Sequence, residues 1–483
     1  MRRISARKFK RTTLLLFACL AFLAGVGLAH SGYLIGAVWW WLALGASLFT
    51  FRKRTVWALI WITLFGLSLG WAKGSIYMQK LAEYQPLYGR KVTIVARAAE
   101  DAAYGNNKQL TFAAKNITAP NGQKLTGKIQ LSGFGLNAIY QGDELVATGK
   151  FYPSLGAYQG RMSFAALKLK AHHPSLVADL RRRFTAGMQS ALPEPLASFG
   201  MGLLIGQRAN LPAEVKQDLL MVGLTHIIAV SGYNLTIMLR ASKGILGKRS
   251  KRISTVLSLM LIGVFLLFAG SSASIIRAAI VSLLSIGAGY YGRHVKPVLL
   301  IALAAAITAF ANPFYIWSDA SWYLSFLAFY GVMVLAPMIA IRLRIKWQNS
   351  LVAMVALESL CAELMTLPFV LHTFGQVSLI GLLANVLVVA LVPLAMLLSL
   401  VAGLAGMLLS PLAGWFAWPA RLLLTYMLDT AHLLAQIPHI FIQHLGLPLA
   451  EMVCLYMVTI GVTFLLWQKT KKLRNATITD EIE

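Results

Sequence analysis

The chain is poor in acid and, for its size, poor in charge of either sign. Its 17 aspartate and glutamate residues stand against 44 lysines and arginines, a formal net charge of +27, and charged residues make up only 13% of the 483 while 58% are hydrophobic. So little charge on so apolar a chain excludes both an ordinary soluble globule and a disordered tail. Cysteine is scarce as well. Cys19, Cys361 and Cys454 lie in apolar segments with no C-x-x-C spacing, which excludes a disulfide framework and a thiolate metal site and leaves them as small hydrophobes. There is no G-x-x-x-x-G-K-[ST] loop for ATP and no H-x-H-x-D-H run among the nine histidines. No cofactor, no metal and no catalytic residue are expected, and the chain does not read as an enzyme.

Long apolar runs are what the sequence does have, from Thr12 to Ala29 through to Met452 to Trp467. Runs of about 20 apolar residues, rather than about ten alternating ones, select membrane-spanning helices over a membrane barrel. The first run follows "MRRISARKFKR" and resembles a secretion signal, but two further spans at Tyr33 to Thr50 and Thr55 to Trp71 favour a retained anchor. The basic start and the loop "FRKR" (51–54) belong in the cytoplasm, which puts everything from about Gly74 to Lys170 outside.

That outer segment has a different texture. "KVTIVARA", "KQLTFAA", "GKIQLSGF" and "GDELVATGKFY" are short, partly alternating runs parted by turn clusters such as "YGNNK" and "APNGQ". Five or six strands in about a hundred residues fit a small barrel of the OB type, a common platform for single-stranded nucleic acid. Residues 73–170 hold 13 basic against 5 acidic side chains, a net +8 that cytoplasmic anchoring does not explain on an outer face. Lys108, Lys115, Lys128 and Arg161 are candidate phosphate contacts, and Tyr104, Phe134, Tyr140, Tyr152 and Tyr158 candidate stacking rings, against the plainer reading of a solvated basic surface over an aromatic core.

Beyond it, "PSLVADLRRRFTAGMQSAL" sets Val177, Leu180, Phe184 and Met188 at helical spacing around three arginines, the pattern of a helix lying on a membrane surface. "LASFGMGLLIG" (196–206) is too short to span, and its Gly202 and Gly206 predict close helix packing. "LTHIIAVSGYNLTIM" (224–238) then puts His226, Ser231 and Asn234 near mid-membrane. Three readings stay open there. A hydrolase nucleophile lacks the glycine before the serine, since Ala229 stands in that place; interhelical hydrogen bonds would give the residues a structural role only; a polar substrate's path would give them a functional one.

Spans follow near 253–271, 273–292, 296–312 and 320–341, with the basic loop "RASKGILGKRSKR" (240–252) cytoplasmic. Arg277 sits about one turn into its span and has room to snorkel outward, whereas Glu358 and Glu363 lie deeper; either could pair with Arg277. Residues 376–410 are too long for one straight span and lack a charged loop, so a break near Pro393 is expected. Two broken segments, at 196–239 and 376–410, point to a transport path.

Four ordered stretches, "GMGLLIGQRANLPAEVKQDLLMVGLTHIIAVSGYNLTIM", "SASIIRAAIVSLLSIGAGYYGR", "NPFYIWSDASWYLSFLAFYGV" and "AELMTLPFVLHTFGQVSLIGLLANVLVVALVPLAM", resemble the competence domain of the ComEC family, and the outer β segment is similar to that family's OB-like domain. The resemblance implies a polytopic helical protein of the cytoplasmic (inner) membrane with an inserted exported barrel. Its parts are N-terminal helices over 1–73, the barrel over 74–172, an interfacial helix over 173–195, the channel domain over 196–470 and a cytoplasmic tail over 471–483, both termini being cytoplasmic. It implies a channel for single-stranded DNA in natural transformation, a short form without the metallo-β-lactamase-like nuclease domain of many members. The partners implied are a DNA receptor, an ATP-driven translocase in trans, a separate nuclease, the phospholipid membrane and further copies of the chain. The path it implies runs along His226, Ser231, Gly232, Asn234, Arg277, Asp319, Ser325, Glu358, Glu363, Gly375, Gln376 and Asn385. Where the family motif commonly reads S-G-x-H, Asn234 stands here, a donor and acceptor without a charge. A transporter of another anionic polymer or lipid-linked precursor, or an assembly factor that moves nothing, are the competing readings.

Overall fold

The computed structural model describes residues 9–31, 55–104, 109–136, 138–154, 158–173, 176–206, 211–228, 250–269, 273–293, 296–343 and 351–480. The expected span at Tyr33 to Thr50, the loop "FRKR", Lys108, most of the 240–252 loop and the trio Ser231, Gly232 and Asn234 lie outside them. Two compact units result, Met1–Arg183 with Ala302–Trp322, and Phe184–Ile301 with Tyr323–Glu483. Six helical stretches among the described residues are long and apolar enough to cross a membrane: Arg11–Ser31, Val56–Leu87, Ala320–Arg342, Ala353–Phe374, Gly381–Leu408 and Leu449–Gln468. This is a membrane protein with a small closed barrel.

In the first unit, α1 (Arg11–Leu28) and α2 (Val56–Ala82) pack so closely that a Cβ at Gly25 or Gly70 would run into the backbone of the opposite helix. Such contact through small residues is how helices adhere in lipid, where burying apolar side chains gives little advantage. The barrel follows in seven strands: β1 (Lys91–Ala98), β2 (Ala103–Tyr104), β3 (Leu110–Thr118), β4 (Lys124–Leu125), β5 (Ile129–Phe134), β6 (Glu144–Tyr152) and β7 (Gly160–Ala171). The order β1-β6-β7-β5-β3, with β3 pairing back onto β1, closes five strands on themselves. Closure removes the free edges. Only β5 and β7 run parallel. Ile94, Phe112, Ile129, Leu131, Phe151 and Met162 fill the interior on the alternate positions of their strands. The longest strand, β7, is not among the four runs that announce themselves in the sequence.

Helix α3 (Leu176–Ala191) follows the expected span but not the expected use. Val177 and Leu180 are open, at 37% and 42% exposure, whereas Phe184 and Met188 are fully buried. The second half of this helix is therefore packed protein core and not a membrane-surface stripe, because Phe184 lies where a side chain at Gly403 would otherwise be.

In the second unit α4 (Leu196–Ile205) is buried along its whole length, as a piece too short to span must be if lipid is not to meet its ends. Gly200 is its packing contact, facing Ser399, and Gly206 serves instead as a left-handed C-cap with φ 77°. Then come α5 (Ala213–Met221), α6 (Thr225–Ile228), α7 (Lys251–Ala269), α8 (Ala273–Tyr290) and α9 (Pro297–Ala311), the last crossing from the second unit into the first. After α10 (Phe314–Ser318), α11 (Ala320–Tyr330) runs through one π turn, Gly331–Leu335, into α12 (Ala336–Arg342). There Gly331 lies against the Cys361 backbone of α13 (Leu351–Phe374). The expected break in 376–410 is present: β8 (Gln376–Ser378), α14 (Gly381–Val388), a 3₁₀ turn at Val389–Leu391 and α15 (Val392–Leu408), with Pro393 in the first turn of α15. Proline is tolerated there because the N–H it lacks has no partner at a helix start. Helix α16 (Ala413–Ala435), β9 (Phe441–Gln443) and α17 (Leu449–Asp480) end the described chain.

Candidate functional site

The second unit gathers several of the expected path residues around one glycine turn. Just beyond helix α5 comes Gly223, whose φ of 76° suits a residue without a Cβ, and Leu224 N–H closes onto Leu219 O at 2.7 Å. A Cβ at Gly223 would stand 3.3 Å from Cβ of Ser378 and 3.5 Å from Cα of Gly381, so this turn rests on the junction between β8 and α14. His226, three residues on, has Nδ1 3.1 Å from Gly223 O. The ring is thereby fixed to the turn while the residue stays exposed.

On the other side of that junction, Glu363 of α13 reaches the first residue of α14: a Cβ at Gly381 would be 3.3 Å from Glu363 Oε1. Thr366, one turn on, donates its hydroxyl to Ala362 O at 3.0 Å, and Pro368 leaves the helix ladder one bond short just beyond. Asn385 follows Gly381 by four residues and shares its face of α14. Glu363 Oε2, Ser378 Oγ and Asn385 Oδ1 are all buried without a hydrogen-bond partner among the described residues. Glu363 and Ser378 both approach Gly381, and Asn385 lies one turn further along the same helix. A buried oxygen left unmatched in an apolar region costs about 1–3 kcal/mol, which makes these three residues candidates for contact with water or with a polar passenger.

Arg277, on α8, is 1% exposed and is the largest fully buried side chain among the described residues. It does not snorkel: packing closes around it instead of leaving a route to the surface. Glu358 is buried as well, at 8% exposure.

A two-stranded clip holds the junction. Gln376, Val377 and Ser378 pair with Gln443, Ile442 and Phe441, and the ladder is lengthened at both ends by Leu379 N–H on Ile440 O (2.8 Å) and Leu445 N–H on Gly375 O (2.9 Å). Gly375 enters it at φ 63°. Beside the clip, a cavity of about 720 Å³ is lined by Lys216, Gln217, Gln436, His439 and Gln443 among others. Asp218 and His432 tie α5 to α16 there at 2.8 Å.

Of the remaining expected residues, Ser325 is half-buried on α11. Asp319 belongs to the first unit, where its Oδ1 accepts the Ser321 N–H at 3.0 Å as a helix cap. On the barrel, Lys115, Lys128 and Arg161 are exposed, Tyr140 is covered by Arg182 at 4.2 Å, and burial pushes the phenol of the half-buried Tyr158 up. Gly223, Ser378 and Gly381 were not foreseeable as site residues. Glycine and serine abound in this chain, and only the fold puts these three side by side.

Residues 203–470, over half of the chain, match the family model described as competence protein. The chain belongs to the competence protein family. Every residue of the cluster just described falls inside that match. A stretch of 246 residues, 50% of this family member, is also 24% identical to ComE operon protein 3 of Bacillus subtilis (strain 168), and spans 31% of that protein's length. No solved structure matches it.

Proposed function

We propose that this protein is a channel of the inner membrane that passes single-stranded DNA into the cytoplasm during natural transformation. The observation that carries the reading is that the family match coincides with the polar cluster of the membrane region, the Gly223 turn with the unpartnered oxygens of Glu363, Ser378 and Asn385, in the same unit as a buried arginine. A strand bears one negative charge per nucleotide, so bare hydrocarbon is closed to it and a wet, polar route is needed. Arg277 supplies the path with a fixed positive charge that favours the phosphates. The neutral amides and hydroxyls of Asn385, Ser378 and Gln376 meet bases without selecting among them, and contacts of this kind must be weak and repeated for the strand to move on. His226, Ser231, Gly232, Asn234, Ser325 and Glu358 complete the path in this reading. The basic N-terminal and C-terminal segments lie in the cytoplasm, the barrel faces outward, and pulling on the strand falls to an ATP-driven partner.

The test is transformation frequency after deletion of the gene, with wild-type and Arg277→Ala copies restored separately. Loss on deletion, rescue by wild type and no rescue by a variant that still inserts in the membrane are expected. Normal transformation with Arg277→Ala would overturn the role of the arginine, and normal transformation on deletion in a competent host would overturn the channel.

A further inference from the structure

Strand β7 contains an irregularity that both of its neighbours register. Against β5, Leu131 pairs with Met162 but Gly133 with Ala165; against β6, Phe151 pairs with Met162 but Thr148 with Ala166. One extra residue is accommodated at Ser163-Phe164, a β-bulge, and Phe164 takes φ 56°. Glycine is the usual occupant of a left-handed bulge position, and a large aromatic residue there is under backbone strain. The strained residue is also outside: Phe164 is 66% exposed, its N–H held at 3.4 Å by Oε1 of the buried Gln109.

Its ring lies 6.4 Å from that of Phe134, itself 46% exposed. The outward surface around the pair is basic and polar. Arg161 lies opposite Gln130 on β5 and Tyr152 on β6, Lys150 sits 5.5 Å over the Tyr152 ring and opposite Lys91 on β1, and Lys168 is exposed further along β7. The single acid on the four strands β1, β6, β7 and β5 is Glu144, already bonded to Lys170 at 2.8 Å. Two bare rings among cations with no opposing acid suit a polyanion that also offers flat apolar faces, and single-stranded nucleic acid offers both. Stacking rings with flanking cations are what a barrel of this class offers to single strands.

We propose that Phe134 and Phe164 are a stacking platform for the bases of single-stranded DNA, with Arg161 and Lys150 on the adjoining phosphates, and that the bulge of β7 exists to present the Phe164 ring. The proposal rests on the single-strand reading above and adds the site of first contact. Strain at Phe164 makes stability and binding move in opposite directions when it is removed. In the full chain reconstituted in lipid nanodiscs, Phe164→Gly should raise the temperature at which the barrel unfolds yet weaken binding of a labelled oligothymidylate about tenfold, with Phe134→Ala weakening it similarly and Phe164→Trp retaining it. An oligonucleotide carrying 5-iododeoxyuridine should crosslink to Phe134 or Phe164. Wild-type affinity in both weakened variants, with crosslinks elsewhere, would overturn the platform and leave the channel standing. Absence of oligonucleotide binding by the wild type would overturn the platform too, and together with unchanged transformation on gene deletion it would remove the channel reading as well. Quenching of Phe164→Trp fluorescence by brominated lipid, without response to oligonucleotide, would make the face a membrane contact and overturn the proposal.

Discussion

In the barrel, buried polar groups are bonded. Asp143 is 2% exposed and accepts from Tyr140 N–H at 2.9 Å while its other oxygen meets His172 Nδ1 at 2.6 Å; Gln159, at 5%, accepts from Lys128 N–H and donates to the Tyr77 hydroxyl at 3.2 Å. In the membrane region, Glu363 and Asn385 on helices and Ser378 on β8 each bury an oxygen that meets no donor among the described residues. Water is everywhere at the barrel surface, yet these barrel groups are matched internally; lipid can serve none, yet these three oxygens are unmatched among the described residues. The difference teaches where to look for function: these polar groups of the barrel are explained by its own fold, whereas Glu363, Ser378 and Asn385 are not explained by contacts among the described residues. The barrel's unexplained feature is instead on its outside, at Phe164.

This comparison breaks most sharply at Glu363. Glu363→Leu should lower transformation as severely as loss of Arg277 while leaving thermal stability unchanged or raised by about 1 kcal/mol, since an apolar side chain of similar length replaces a carboxylate with an unserved oxygen. A melting temperature of the purified protein well below wild type would show that Glu363 is structural and that the helices are as well satisfied as the barrel. The opposite result is expected at Asp143. Asp143→Ala strands the Tyr140 N–H and the His172 ring and should cost about 1–3 kcal/mol of barrel stability, read by denaturant unfolding, with uptake falling only as far as folded protein does. The smallest effect belongs to Glu144. Its hydrogen bond to Lys170 holds the carboxyl below the ordinary range, so whatever stability the pair gives is fully present above the unfolded-state pKa and is lost as pH falls through the lowered folded value. Glu144→Gln should flatten that acid limb of a stability-against-pH curve slightly and change nothing near neutrality; the exposure of the pair keeps the effect small. A shift at neutral pH would show that the pair does more than decorate the barrel wall.

The general architecture could be read directly from the residues. Apolar runs, the texture change between Gly74 and Lys170 and the break near Pro393 follow from hydropathy and backbone chemistry that act over a few neighbours, and among the described residues the structure has apolar helices, a barrel and a 3₁₀ interruption in those places, the helices at the expected spans 273–292 and 296–312 being shorter than the six of span length. Other features were hidden because they depend on partners far along the chain. The bulge at Phe164 shifts the apolar alternation of β7 by one, Met162 and Ala165 facing inward on either side of it, so the longest strand of the barrel carries no clean two-residue period. Arg277 reads as a residue able to reach the surface, and tertiary packing encloses it. Phe184 and Met188 read as a lipid-facing stripe because hydrophobic periodicity says that a face is covered, not what covers it.

The sequence by itself determined that this chain lives in a membrane, that it carries a small basic barrel, and that it belongs with the competence proteins, because composition, periodicity and ordered motifs are properties of the chain taken in order. Only the tertiary structure decided that Gly223, Ser378, Gly381 and Glu363 meet around one turn and that a strained phenylalanine stands beside Phe134 on the barrel face. Contacts between residues 140 or more positions apart, such as Gly223 with Glu363 through Gly381, and the phase of a bulged strand are set by how elements pack. Packing is a property of all the elements together, and no local run of residues encodes it.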